Sequence, residues 1–232
     1  MIIWRRKTIL AESITRQSHT HRGHTNSNFR AALTCLVHGM PKDTRYVFSK
    51  ITLVSCSAKI QNNVSRPSTP SLSLIGGGSL RFSRGMKLLD DLAPLAELSN
   101  YLIQMVDKEA YDKLVKARNV MIHARPEVRA ICAVDPGLHS TMGLIVNRES
   151  GAHTDKRDAL DSWAVMFSVG RFCDGDLHFP QYDIASRFSC GDAIVLRARD
   201  VEHGVQQWSG SLRVTIVYYS DDSVWKEFGI SE

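Results

Sequence analysis

The segment SLRVTIVYYS, Ser211–Ser220, decides the fold class of this chain. It is rich in β-branched and aromatic residues, which are typical of strands. Five more short segments with this composition lie between Pro126 and this one, separated by turns that contain Gly or Asp: RAICAV, MGLIVNR, DSWAVMFSVGRF, DLHFPQY and DAIVLRAR. A regular series of short strands with turn signals predicts a sandwich, a jelly roll or a small barrel.

A segment of helical character precedes the strands, over residues 88–121. Its apolar residues recur at helical spacing, among them Leu95, Leu98, Leu102 and Met105, and charged residues fill the gaps. We predict one helix here, or two helices broken near Pro94, packed against the sheet as a scaffold. The pattern after Pro126 is that of strands alone.

The charge of the chain is unevenly distributed. Residues 1–88 carry fourteen Lys or Arg and two acidic residues, a net charge of +12, whereas residues 89–232 carry fifteen Lys or Arg and twenty-two acidic residues, a net charge of −7. We predict that residues 1–85 form a basic, largely disordered extension and linker and that residues 86–232 form the folded domain. Within the extension, Arg45–Cys56 has the composition of a strand. The extension fits a nucleic-acid-binding arm, an organelle transit segment or a faulty gene start.

Several classes of protein are disfavoured by composition. No apolar run approaches eighteen residues, and the start MIIWRRKTIL lacks the pattern of a secretory signal, so we expect no membrane partner. The five Cys are odd in number and form no C-x-x-C pair. This argues against a disulfide framework and against a zinc ribbon, and it favours a reducing compartment.

A histidine and a carboxylate lie two residues apart in GAHTDKRD, Gly151–Asp158. With nine His in the chain, the pair His153 and Asp155 is a weak signal alone. However, His203 follows fifty residues later, just after the segment DAIVLRAR. Two His and one carboxylate on one face of an octahedral metal form the triad that binds Fe(II) in non-haem oxygenases. These three residues are therefore the predicted metal ligands.

An arginine interrupts the last apolar segment. Arg213 stands beside Val214, Ile216 and Val217, where a solvated charge is awkward. The guanidinium binds carboxylates bidentately, which suits the far carboxylate of 2-oxoglutarate. Thr215 shares the face of Arg213 by the two-residue period of a strand and can add a hydroxyl. The alternative is a surface cation on an edge strand.

Together these residues resemble the Fe(II)/2-oxoglutarate dioxygenases, and the flanking sequence resembles the TET/JBP nucleic-acid oxygenases, in particular their short fungal and protist members. The resemblance covers roughly residues 88–220 and includes Arg148, Asp158 and Trp163 around the first ligands. It implies an α+β, mainly β fold with a double-stranded β-helix (jelly-roll or cupin-like) core and a helical N-terminal support. The Cys-rich zinc module of the large animal members is lacking, so we expect no zinc.

The resemblance also implies roles for individual residues. The triad would bind Fe(II), O2 would be the second co-substrate, and Arg213 would bind 2-oxoglutarate with help from Arg148 and Thr215. Asp158 matches a position that faces the target base in relatives. A carboxylate there can accept from the exocyclic amine of cytosine. The alternative for Asp158 is a turn or cap residue before ALDSW.

We therefore predict a dioxygenase that flips 5-methylcytosine out of duplex DNA and oxidises its methyl group to 5-hydroxymethylcytosine, with further oxidation open. RNA, thymine and a protein side chain remain alternative substrates. A module that binds nucleic acid without turnover remains the alternative to an enzyme. We expect a monomer in the nucleus, with mitochondrial targeting by the basic N-terminus as the other location.

Overall fold

The computed structural model of the protein describes residues 2–4, 51–52 and 78–230. The predictions of disorder, nucleic-acid binding and targeting for the basic extension concern mostly residues 5–50 and 53–77, which lie outside the described residues. Two short strands from this part of the chain are described, and both pair with the folded core.

The described elements follow one another in the order of two short strands, three helices, eight strands and a short helix. The strands are β1 (Ile2–Trp4), β2 (Ile51–Thr52), β3 (Thr141–Val146), β4 (Ser150–His153), β5 (Ala164–Asp174), β6 (Leu177–Phe179), β7 (Ile184–Ser186), β8 (Ala193–Leu196), β9 (His203–Val205) and β10 (Trp208–Tyr219). The helices are α1 (Ser79–Val106), α2 (Lys108–Ala124), α3 (Pro126–Cys132) and α4 (Asp222–Glu227), and a 3-10 turn spans Pro180–Tyr182.

The strands form two antiparallel sheets. The large sheet has the order β1-β8-β5-β10-β3-β2, and the small sheet has the order β4-β9-β6-β7. Neighbours that are distant in sequence, such as β8 with β5 and β4 with β9, give the crossed connections of a jelly roll. The predicted fold, mainly β with a jelly-roll core and a helical support, is confirmed.

Alternate residues of β10 lie on opposite faces of the large sheet. Val214, Ile216 and Tyr218 point to the side of the large sheet that packs against the helices. The alternate residues, Arg213 and Thr215 among them, point to the space between the two sheets. This alternation follows from the two-residue period of a strand. The apolar face is buried under the helices, and the other face is free to carry polar chemistry.

The helical support differs from the prediction at one position. Helix α1 runs without interruption through Pro94, and the break lies instead at Asp107. Leu92, Leu95 and Ala96 are buried on either side of the proline, so packing on the sheet offsets the missing backbone donor. The carboxylate of Asp107 accepts from the amide of Ala110 at 2.9 Å and so starts α2 as its N-cap.

The segment RAICAV is a second correction, because it lies mostly in α3 and is not a strand. Pro126 occupies the first turn of this helix, where its missing N–H costs nothing. Val128 and Ile131, three residues apart, are both buried against the core. A short apolar run has no distinct period of its own, and the proline was the signal that separates helix from strand.

Helix α1 begins at Ser79, within the segment assigned to the N-terminal extension. Two strands from the same N-terminal segment also join the large sheet: β2 (Ile51–Thr52) pairs with β3, and β1 (Ile2–Trp4) pairs with β8. None of the helices in the described part of the chain is long and apolar enough to cross a lipid bilayer.

Candidate metal and co-substrate site

The two histidines of the predicted triad lie opposite each other on neighbouring strands. His153 ends β4, and its partner in the register of β9 is His203, with ring centroids 4.7 Å apart. A β-bulge between Ser150 and His153 alters the direction of β4 just before the ligand. His153 therefore lies at the end of a strand.

Gly204 allows these two strands to approach closely. A Cβ atom at this position would lie 2.9 Å from the carbonyl oxygen of Ser150 and 3.1 Å from the amide nitrogen of Ala152. Both are backbone atoms of β4 and cannot rotate away. A side chain next to His203 would thus push β4 outward and separate the two imidazoles.

Asp155 completes the cluster from the loop after β4. Its amide donates to the carbonyl of Ala198 at 2.8 Å, and its own carbonyl accepts from the amide of Asp158 at 2.9 Å. The carboxylate oxygens lie 3.7 Å from Nε2 of His153 and 3.9 Å from Nε2 of His203. One ligand atom from each of the three residues lies within 4.8 Å of the others. This spacing suits three ligands around one cation.

Backbone carbonyls determine which imidazole nitrogens face the cluster. Nδ1 of His153 lies 2.9 Å from the carbonyl oxygen of Gly151, and Nδ1 of His203 lies 2.9 Å from that of Val201. A carbonyl only accepts, so each Nδ1 must carry the proton and donate. The Nε2 lone pairs are then directed to the cluster, which is the arrangement of metal-binding histidines. Burial lowers the pKa of His203, which also favours its neutral, ligating form.

Arg213 lies deep between the sheets, with 2% of its surface exposed. Its guanidinium lies 5.2 Å from the ring centroid of Phe172 and 5.7 Å from that of Phe188. Nη2 donates to the carbonyl of Gly175 at 3.3 Å, and the buried Nε has no hydrogen-bond partner among the described residues. Burial lowers the pKa of Arg213 to about 10, so the group stays charged at neutral pH.

No carboxylate of the described residues forms an ion pair with Arg213. Burial of a cation with an unused donor destabilises the fold unless a bound anion forms an ion pair with it and accepts from that donor. A dicarboxylate that reaches the metal with one end and Arg213 with the other satisfies both requirements. The residues present therefore fit Fe(II) together with 2-oxoglutarate, and a surface position for Arg213 on an edge strand is wrong.

The backbone around Arg213 is shaped by a bulge and a glycine. The register between β10 and β5 shifts between Gly210 and Leu212, directly before Arg213. The residue opposite Arg213 on β5 is Gly170, whose φ is 140°. A Cβ there would collide with the carbonyl oxygen of Leu212. Only glycine fits this crossing, which turns the arginine side chain inward.

One cavity of about 580 Å3 contains all of the predicted site residues. The triad, Arg213 and Thr215 line it, and Thr215 is buried beside the arginine on the same face of β10. Asp158 is also buried in its wall, on an isolated bridge to Asp221. Arg148 lines the cavity too, but it is exposed. The wall between the polar groups is apolar and includes Met166, Leu177 and Phe188.

Three residues of this site were not assigned to it from the sequence. Tyr219 lines the cavity six residues after Arg213, and the two-residue period of β10 could have indicated it. Burial, followed by the charge of Asp158, raises the pKa of Tyr219, so its phenol keeps the proton. Gly204 acts through the close approach of two backbones, and the side chain of Asn147 accepts from the amide of Arg213 at 2.8 Å. The sequence contains no direct signal for either contact.

No protein-family profile and no curated protein matches the sequence. Similar solved structures include NgTET1 in complex with 5mC DNA, with 18% identity over 40% of this chain and 38% of that chain, and a TM-score of 0.36. An oxidoreductase of the 2OG-Fe(II) oxygenase family from Burkholderia pseudomallei has 20% identity over 36% of this chain and 44% of that chain, and a TM-score of 0.31.

A viral collagen prolyl hydroxylase from Paramecium bursaria Chlorella virus-1 has 12% identity over 34% of this chain and 53% of that chain, and a TM-score of 0.29. In each case the chain matches less than two thirds of the other protein's length. Because these TM-scores are low, we base the function on the geometry of the site alone. One of these similar solved structures is named as a member of the 2OG-Fe(II) oxygenase family.

Proposed function

We propose that this protein is an Fe(II)- and 2-oxoglutarate-dependent dioxygenase that oxidises the methyl group of 5-methylcytosine in DNA to 5-hydroxymethylcytosine. The observation that carries the proposal is that one cavity contains both a His-Asp-His cluster and a buried arginine that forms no ion pair with residues 78–230. The cluster alone would fit many metals. Together with Arg213, it fits a metal and a dicarboxylate co-substrate.

In this proposal, one group of residues binds the metal and another binds the co-substrate. His153, Asp155 and His203 would hold Fe(II) and leave its other positions open, while Arg213 and Thr215 would orient the far carboxylate of 2-oxoglutarate. When bound, Fe(II) with O2 and 2-oxoglutarate supplies the oxidising power to hydroxylate a C–H bond, and the co-substrate leaves as succinate and CO2. The apolar wall would exclude water from the reacting centre.

The choice of a cytosine base rests on Asp158. Its carboxylate lies in the cavity wall three residues after Asp155, on the loop that carries the metal ligand. A carboxylate accepts from the N4 amine of cytosine, whereas thymine presents a carbonyl oxygen there and would repel it. A methyl group stacked inside a duplex cannot reach a metal that is held in a cavity, so the base would have to be flipped out.

Positive charge at the cavity supports a phosphate-bearing substrate. Arg148, Lys156 and Arg157 all line the cavity and are exposed. Within the described residues, neither Arg148 nor Lys156 forms an ion pair, and Arg157 pairs with Asp221 at 3.0 Å. These cations could contact the phosphates on either side of a flipped nucleotide, and the basic extension could add contacts. A nuclear location and a monomeric state are part of this proposal.

A substrate panel tests the proposal. The purified protein is incubated with Fe(II), 2-oxoglutarate and matched oligonucleotides that contain 5-methylcytosine in duplex DNA, 5-methylcytosine in RNA, or thymine only. A methylated peptide serves as the protein substrate. Nucleoside mass spectrometry should detect 5-hydroxymethylcytosine from the methylated DNA, with matching succinate. Oxidation of RNA or peptide alone would assign the same chemistry to another substrate, and binding of DNA with no succinate from any substrate would indicate a non-catalytic module.

A further inference from the structure

Asn147 joins the end of β3 to the strand that carries Arg213. The last residue pair between β3 and β10 is Val146 with Val214, and Asn147 follows with a φ of 51°, in the left-handed region. A strand cannot continue through this conformation, so β3 turns away at the level of Arg213. The backbone of β3 therefore provides no carbonyl oxygen for the amide of Arg213, which is the next donor of the ladder between β3 and β10.

The side chain of Asn147 takes the place of that acceptor. Its Oδ1 accepts from the amide of Arg213 at 2.8 Å, and the amide of Asn147 donates to the carbonyl of Arg213 at 2.7 Å. Both backbone groups of Arg213 are thus bound by this one residue. Asparagine is among the few side chains that tolerate the left-handed region, so the same residue supplies the turn and the acceptor.

From this geometry we infer that Asn147 is a positioning residue for co-substrate binding. It acts through Arg213 and is not expected to contact 2-oxoglutarate itself. The guanidinium end is held independently, because Gly175 accepts from Nη2 and the rings of Phe172 and Phe188 lie close to it. Asn147 thus holds the backbone of Arg213, while Gly175, Phe172 and Phe188 hold its guanidinium.

The turn at Asn147 also places the adjacent residue. Arg148 directly follows the left-handed position and lines the same cavity as Arg213. Movement of the turn would therefore shift two cations of the cavity together. This inference rests on the proposed function, because it assumes that a dicarboxylate is the ligand of Arg213.

The test compares three substitutions by calorimetric titration of 2-oxoglutarate into Mn2+-loaded protein. Asn147→Gly keeps the left-handed backbone and removes the acceptor, while Asn147→Asp keeps both. Asp183→Gly is the matched control, because Asp183 has the same φ of 51° and does not line the cavity. The Gly variant at position 147 should raise the Kd for 2-oxoglutarate at least fivefold, about 1 kcal/mol, and the Asp variant should restore most of the affinity. The control should leave the Kd unchanged.

Two readouts separate positioning from a general loss of structure. The Kd for Mn2+ should be unchanged in Asn147→Gly, and the rate of succinate formation at saturating 2-oxoglutarate should recover to within about twofold of the wild type. If Asn147→Gly does not fold, Asn147→Ala removes the acceptor and keeps a side chain, with the same expected rise. A folded variant with an unchanged Kd for 2-oxoglutarate, or an Asp variant as weak as the Gly variant, would overturn the inference. No binding of 2-oxoglutarate to the wild type would overturn the inference and the proposed function together.

Discussion

The two ends of the cavity are built in different ways. Arg213 lies on the longest strand of the large sheet and is 2% exposed. The metal ligands lie on the short strands of the small sheet and the loop beside it, where the side chains of His153 and Asp155 are 44% and 42% exposed. The charge that would bind a small co-substrate is thus buried in the large sheet, whereas two of the three metal ligands, His153 and Asp155, lie near the surface, where a large substrate can approach.

This difference separates stability from function. Arg213 is a buried cation with no counter-ion in the part of the chain that the structure describes, so its burial costs free energy of folding and is useful only when an anion binds. The half-exposed ligands His153 and Asp155 contribute little to the core, and backbone hydrogen bonds fix their orientation. Substitutions at the two ends should therefore have distinct effects on folding and on ligand binding.

The largest effect on activity is expected at the metal end. Asp155→Ala should reduce turnover by more than about 100-fold and weaken Fe(II) binding, because even the loss of an outer partner of a metal ligand costs about 10–100-fold. The thermal unfolding temperature of the metal-free protein should not change. The control is Asp161→Ala, which removes an exposed carboxylate that pairs with Lys113 at 3.3 Å. Near-full turnover of Asp155→Ala would disprove the assignment of the triad.

The next effect concerns the rigid end. Gly170→Ala places a Cβ against a backbone oxygen at a φ of 140°, and strain with overpacking should cost about 2–4 kcal/mol of unfolding free energy. Gly151→Ala is the matched control, because none of the described residues other than its chain neighbours comes within 4 Å of the added Cβ. Denaturant unfolding measures both variants. Equal stability of the two would mean that the crossing of β5 and β10 is looser than described.

A third substitution separates binding from stability. Arg213→Met keeps much of the side-chain volume and removes the charge. The Kd for 2-oxoglutarate should rise at least tenfold, since a charge-assisted hydrogen bond contributes about 1.5–3 kcal/mol. The unfolding temperature without ligand should stay the same or increase, because an unpaired buried charge is removed. An unchanged Kd in a folded variant would place the co-substrate elsewhere.

The smallest effect on chemistry is expected from the basic extension. Deletion of residues 1–77 removes β1 and β2, two short edge strands of the large sheet, and leaves every proposed ligand in place. The salt dependence of duplex binding should become shallower by about 0.9 in log–log slope for each phosphate that the shortened protein no longer neutralises. Oxidation at saturating DNA should persist. An unchanged slope would favour a transit segment or a faulty gene start for this part of the chain.

Most strands and the proposed ligand residues could be predicted from the sequence. The backbone contacts that bring these residues together could not. The strand β10 was evident because β-branched and aromatic residues alternate around one arginine, and the spacing from His153 to His203 identified the triad. Asn147, Gly170 and Gly204 were not assigned, because their roles depend on which backbones approach each other across the sheets. The helix α3 was mistaken for a strand because six residues of mixed apolar character carry no clear period.

Labelling with heavy-isotope O2 tests the central claim most directly. The wild-type protein is given Fe(II), 2-oxoglutarate and methylated duplex DNA under labelled O2, and succinate and nucleosides are analysed by mass spectrometry. If one cavity couples the co-substrate to the base, succinate and 5-hydroxymethylcytosine should form in equal amounts, and each should carry one labelled oxygen atom. Turnover that leaves succinate unlabelled, or no oxidised base despite bound Fe(II) and 2-oxoglutarate, would contradict the account.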